Sequence, residues 1–216
     1  RDATENVTMP AGKNVILDLQ NYTLSSNTTV SILENSGTLR IINGTITSNG
    51  TAAAIDNQSG GYLYITGGTI TSTATRQAIY NYGGGYVEIS GTAYLSSTAS
   101  GARNGSSMER GTVQNLENGI MRILGGTIVG QVQQAVSNEG YLNIGNDDGS
   151  VDTSTPVIRG ETCGLKSTGT LDFYDGIIEG ITGGISGTVT NIDSNSQVTS
   201  GQVTVGSKTY ITNYLS

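Results

Sequence analysis

Any chemistry on this chain has to proceed without histidine, which is missing from all 216 residues. That excludes Ser-His-Asp and Cys-His nucleophiles, imidazole zinc sites and histidine acid–base catalysis. Cys163 is the single cysteine, so no intrachain disulfide and no cysteine-based metal site can form. Carboxylate, arginine and tyrosine chemistry remain. Glu88, Arg122 and Asp172 have the side chains for acid, base or charge-stabilising roles in glycan cleavage. Asp147, Asp148 and Asp152 surround Gly149 and offer hard oxygens to Ca²⁺. Tyr62, Tyr64, Tyr86 and Tyr141 offer flat rings with a hydroxyl edge, a surface that stacks on sugars.

Each set has a plainer reading. Glu88 and Arg122 read as a surface ion pair, worth at most about 1 kcal/mol. Asp147, Asp148 and Asp152 fit an ordinary turn, since the spacing is not that of an EF-hand and the closing Glu is missing. No metal or cofactor is therefore expected, with Ca²⁺ at the acidic loop as the alternative. Tyrosine has high β propensity and forms favourable cross-strand pairs without any ligand.

The elements that would position these residues are repeats. ILENSGTLRIINGTI (32–46), AIDNQSGGYLYITGGTI (54–70), AIYNYGGGYVEISGTAYL (78–95), TVQNLENGIMRILGGTI (112–128), AVSNEGYLNIG (135–145) and GLKSTGTLDFYDGII (164–178) share one pattern. The period is about 21–24 residues where nothing is inserted, the size of a solenoid repeat. Leu33, Ile55, Ile79, Val113, Val136 and Leu165 make an apolar column. Two residues on come Asn35, Asn57, Asn81, Asn115, Asn138 and Ser167. A Gly turn leads to a strand in which Leu39, Leu63, Val87, Met121, Leu142 and Leu171 alternate with outward positions.

Several short strands joined by Gly corners cannot bury a face individually, so the repeats must stack. The frequent glycines oppose helical repeats. A parallel β-helix fits best, with the asparagines forming an inner amide ladder that satisfies turn backbone. Outward from the second strand lie Thr38/Arg40, Tyr62/Tyr64, Tyr86/Glu88, Ile120/Arg122, Tyr141/Asn143 and Thr170/Asp172. No two carboxylates are neighbours in that column, so the strands alone present no acid–base dyad.

Composition agrees with regular β structure rather than disorder: 32 glycines, two prolines, 12% charged residues and a net charge of only -7. Ten scattered basic residues and a pI near 4.4 exclude a nucleic-acid footprint. No apolar run approaches the roughly 18–20 residues of a membrane span. Residues 96–110 (SSTASGARNGSSMER) lengthen one coil and read as a Ser/Gly surface loop. Thr45/Thr47 and Thr69/Thr71 suggest an ice-binding array, but it breaks at Tyr94 and Val129.

The pattern N-x-G-x-L-x-I-x-G-G-T-I resembles the right-handed β-helix repeats of secreted or surface proteins of Gram-positive gut bacteria, which are similar in fold to the pectate-lyase superfamily. MPAGKNVILDLQNYTL (9–24) resembles the first coil, and 175–216 the terminal coil and cap. The resemblance implies a single right-handed parallel β-helix: an N-terminal cap at 1–14, coils over 15–190 and a C-terminal hairpin cap at 191–216. It also implies secretion or cell-surface location within a longer protein. The expected role is a non-catalytic stalk or a surface binding glycans or a host ligand. A polysaccharide lyase or glycoside hydrolase using Glu88, Arg122 and Asp172 is the alternative.

Overall fold

The computed structural model describes residues 1–103 and 108–216. The tip of the 96–110 insertion, residues 104–107, thus lies outside the described residues. Every regular element among the described residues is a β-strand.

The strands fall into three columns, each visited once per repeat. The first contains Leu33–Asn35, Ile55–Asn57, Ile79–Asn81, Val113–Asn115, Val136–Asn138 and Cys163–Ser167. Together with Val7–Met9 before and Gly183–Ser186 after, it forms an eight-stranded parallel sheet, here the ladder face. The second column, the tyrosine face, contains Tyr62–Ile65, Tyr86–Ile89, Ile120–Ile123, Tyr141–Ile144 and Thr170–Phe173. The third, the threonine face, contains Thr69–Ser72, Tyr94–Ser97, Thr127–Gly130, Val157–Gly160 and Ile177–Gly180. Two long strands, Asn14–Ser26 and Thr38–Ser48, run through both of these columns and fuse them into one 15-stranded sheet.

Register follows the repeat. Leu39 pairs with Leu63, and then Val87, Met121, Leu142 and Leu171 follow one residue opposite the next. All six are buried. Ile41, Ile65, Ile89, Ile123, Ile144 and Phe173 make a second inner column beside them, and Ile46, Ile70, Leu95, Ile128, Ile158 and Ile178 line the threonine face from inside. Period-two alternation thus becomes a continuous apolar core shared by all three faces.

Asparagine fixes the stacking. Asn35 Nδ2 donates to Asn57 Oδ1 at 2.7 Å, and the relay continues at 2.8 Å from Asn57 to Asn81, Asn81 to Asn115 and Asn115 to Asn138. Asn138 closes it on Ser167 Oγ at 3.0 Å. The five amides are fully buried. Each also donates to backbone carbonyls of the corner or of the first residue of a following strand, as Asn81 does to Gly85 O and Ile120 O. The corner glycine is required by this approach: a Cβ on Gly85 would meet Asn81 Oδ1 at 2.5 Å.

The ends continue the same sheets. Within residues 1–14, Ala3–Thr4 pairs in parallel with Leu24 and Ser25, and Val7–Met9 with Leu33–Asn35. At the other end Val198–Val205 and Lys208–Leu215 form an antiparallel hairpin turned at Gly206, φ +63°. Its second strand pairs antiparallel with Ile177–Gly180 and covers that sheet edge. Glu161 anchors it by accepting from the Tyr210 hydroxyl at 2.8 Å and pairing with Lys208.

The described residues of the insertion after Tyr94–Ser97 fold back over the ladder face. Ala102 and Glu109 form an antiparallel bridge, and Met108 is buried. Gln114 and Ser137 occupy outward positions of ladder-face strands, yet both are fully buried beneath it.

Val87 tests the inner assignment. Val87→Asp places an unpaired carboxylate between Leu63 and Met121, which should remove about 4 kcal/mol or more of stability. Loss of the cooperative melt in circular dichroism is expected, whereas Val87→Ile should keep it.

Candidate functional site

The tyrosine face brings Tyr62, Tyr64 and Tyr86 together. Tyr62 and Tyr86 stand opposite each other on neighbouring strands, ring centroids 5.9 Å apart and planes tilted by 36°. Tyr64 lies 5.7 Å from Tyr86 at 48°. The Arg40 guanidinium sits 4.6 Å over the Tyr64 ring, so one face of that ring is covered. Tyr62 is the most open, at 49% exposure. The Tyr86 hydroxyl donates to Glu88 Oε2 at 2.8 Å; partial burial, then this bond, push its pKa up to about 12.

Tyr141 does not join that cluster. Ile120 separates it from Tyr86 in the outward column, and its hydroxyl donates to Asp172 Oδ2 at 2.7 Å. That bond, ahead of burial, pushes the Tyr141 pKa up to about 12. Asp172 also accepts from Asn191 Nδ2 at 2.7 Å and is buried. Its carboxylate ties the last full coil to the chain that follows.

Glu88, Arg122 and Asp172 are brought into one column but not into one site. Arg122 Nη1 lies 3.9 Å from Glu88 Oε2, a loose and partly exposed pair. Arg122 Nε reaches Asn143 Oδ1 at 3.4 Å, and Asn143 stands between Arg122 and Asp172.

The acidic loop is organised by a carboxylate from another coil. Asp175, buried, accepts the backbone N–H of Asn146 and of Asp152, both at 2.7 Å. Asp148 accepts from Ser150 and Asp152 from Ser154, each through backbone and hydroxyl, which holds both carboxyls below their usual range. Asp147, Asp148 and Asp152 are exposed, and among the described residues no three His, Cys, Asp or Glu side chains converge to hold a metal ion.

Sequence reasoning missed a second surface. Where the insertion lies over the ladder face, a cleft of about 270 Å³ opens, lined by Asp56, Arg76, Tyr80, Tyr82, Arg103 and Arg110 among others. Asp56 and Tyr80 are outward residues of consecutive ladder-face strands, and Glu34 stands one coil before Asp56. Burial pushes the Asp56 carboxyl up to about 6; Glu34 adds to the rise, while Ser31 and Arg76 oppose it. Tyr80 and Tyr82 pack edge to face, centroids 4.8 Å apart. Arg103 is bound by Glu139 in two hydrogen bonds of 2.7 and 3.0 Å. The signal was available in the middle position of each x-Asn triplet, where Glu34 and Asp56 are one repeat apart.

Compared with family models, with curated proteins and with solved structures, the chain finds no match.

Three stability measurements follow from this geometry. Asp175→Ala leaves two loop amides without acceptors and should cost about 1–3 kcal/mol in chemical unfolding. Chelator or added Ca²⁺ should leave the melting temperature of the wild type unchanged; a Ca²⁺-dependent rise would transfer the loop from turn to metal site. For Asp56 the folded pKa lies above the unfolded one, so its favourable contribution is complete below the unfolded value of 3.8 and lost as pH rises through about 6. Asp56→Asn should therefore stabilise the domain at pH 8, on the order of 1–2 kcal/mol, and be nearly neutral at pH 4. Equal effects at both pH values would show that the carboxyl is not desolvated.

Proposed function

We propose that the chain is a single right-handed parallel β-helix module of a secreted or cell-surface protein, and that its tyrosine face binds carbohydrate. Support for the solenoid comes from three columns of parallel strands visited in turn, with like residues paired along each column. The binding reading is carried by one observation: Tyr62 and Tyr64 from one strand of the sheet both lie within 6 Å of Tyr86 from the next, at its surface. Rings held by backbone lose little freedom on binding, and they present apolar faces beside hydroxyls and the charges of Arg40 and Glu88.

The enzymatic alternative has less support on this face. Asp172 is occupied by Tyr141 and Asn191, and Glu88 faces Arg122 rather than a second carboxylate. The threonine face gives ice binding little support: Thr47 and Thr71 hydroxyls bond each other at 3.0 Å, and Tyr94 follows Thr69 in the column.

Because Tyr62 is the open ring, Tyr62→Ala should weaken glycan binding about tenfold or more, and Tyr62→Phe should be tolerated. Glycan-array hits confirmed by calorimetry are the readout, and folding stability should shift by no more than about 1 kcal/mol. Binding that survives loss of both Tyr62 and Tyr86 would remove this face as the site. Polysaccharide turnover abolished by Glu88→Gln would replace the binding reading with catalysis.

A further inference from the structure

We propose that the cleft between the ladder face and the insertion binds an anionic sugar, a pyranose carrying one carboxylate or sulfate, with Arg76 and Arg110 holding the anion. This site lies on a different face from the tyrosine cluster and does not rest on it.

Charge is the first argument. The chain is net -7, yet three of its ten basic residues line this one cleft. Arg103 is neutralised by Glu139. Arg76 and Arg110 are not: among the described residues neither has a carboxylate within ion-pair distance. Arg76 donates only its Nε to Thr51 O, and Arg110 its Nη1 to Ser100 O. The Arg110 Nε is buried and, among the described residues, has no acceptor. Arg76 and Arg110 both line the same cleft, and burial, then repulsion from Arg76, lower the Arg110 pKa, so two like charges share a partly desolvated position. An oxyanion seated between them would relieve that repulsion and supply the missing acceptors.

Ligand size and type come from the remaining lining. Arg76 and Arg110 leave a surplus of one positive charge against an ionised Asp56 and of two when Asp56 is protonated, so the cleft is cationic in either state and one carboxylate or sulfate can be shared by both guanidiniums. The volume of about 270 Å³ lies below the usual ~300–1,000 Å³ of drug-sized sites and fits one ring. Tyr80 and Tyr82 provide an edge-to-face aromatic wall for that ring, and Asp56 offers oxygens to its hydroxyls.

Asp56 adds a pH dependence. It is faced by Glu34 from the coil before, by Tyr80 and Tyr82 from the coil after, and by Arg76 from the turn between. Glu34 accepts from Gln58 and does not line the cleft, and both tyrosines remain neutral near pH 7. A bound anion favours protonated Asp56, so binding takes up a proton and weakens as pH rises above about 6.

The test is calorimetric titration of the full chain with methyl glucuronide, galactose 6-sulfate, methyl glucoside and succinate at pH 5 and pH 8. One or both anionic sugars should bind, more tightly at pH 5, and which of the two binds identifies the anion as planar or tetrahedral. Arg110→Gln and Arg76→Gln should each weaken that binding about tenfold or more, Arg110→Lys less, and Asp56→Asn should flatten the pH dependence. Thermal melts establish that each variant is folded. Tyr62→Ala should leave this binding unchanged, which separates it from the tyrosine face. The proposal is overturned if neither anionic sugar binds at 10 mM (about 3 kcal/mol of affinity), if methyl glucoside binds as well as they do, or if the folded Arg variants bind like wild type. Succinate binding as tightly as the sugars would reduce the cleft to a simple anion site and overturn the assignment to a sugar.

Discussion

A buried asparagine amide has two donors and an acceptor that need partners, and this chain meets the demand by placing the next asparagine one coil away. The relay from Asn35 to Ser167 is therefore more than one stabilising contact repeated. It sets the axial register of every strand that follows. A slip by one residue would orphan the amide and turn Leu63 or Val87 outward, so polar satisfaction and apolar burial select the same alignment. The corner glycines obey the same constraint, since the turn backbone passes too close to the amides for a side chain. Tyr62 and Tyr86 stand opposite each other because of this inner alignment, without any need for mutual attraction.

Such a framework tolerates added chain only outside it. Asn81 and Asn115 are separated by 34 residues, against 22 to 24 at neighbouring rungs without an insertion, and their bond is still 2.8 Å. The added chain leaves after Ser97, and its described residues lie over the ladder face, where Met108, Gln114 and Ser137 are buried. The Glu109 carbonyl accepts from both Gln134 and Ser137, and its carboxylate pairs with Lys166. Covering part of an otherwise flat face is what creates a cleft, and Asp56, Tyr82 and Arg110, all with perturbed ionisation, line it.

The inner half of the molecule was legible in the sequence because stacking requires like residues at like positions. The columns of Leu39, Ile55 and Asn35 could be read directly, and so could the outward direction of Tyr62 and Glu88. Partnerships across the surface were not legible. Asp175 stands where other repeats carry a corner glycine, which marks it as exceptional, but its partners are backbone amides of a loop that carries no signature for it. Asp172 looked free because the chain at Asn191 that binds it lies beyond the repeat. The return path of the insertion was hidden for a similar reason: in a Ser/Gly-rich segment, Met108 alone indicates a side that seeks the core.

The two surfaces differ in what they ask of a ligand. On the tyrosine face the rings are exposed and water competes for every polar contact, so area and shape carry the interaction and single charges contribute little. In the cleft Arg110 and Asp56 are partly withdrawn from water, and that burial is the leading cause that lowers the pKa of the one and raises that of the other. A ligand that supplies the opposite charge there has less desolvation left to overcome, so electrostatics can decide between otherwise similar sugars. That difference arises from the insertion, since the repeat by itself builds only open faces. On the proposed reading, stacked coils of nearly uniform design acquire chemical discrimination where about a dozen added residues interrupt the repeat from outside while leaving its asparagine relay unbroken.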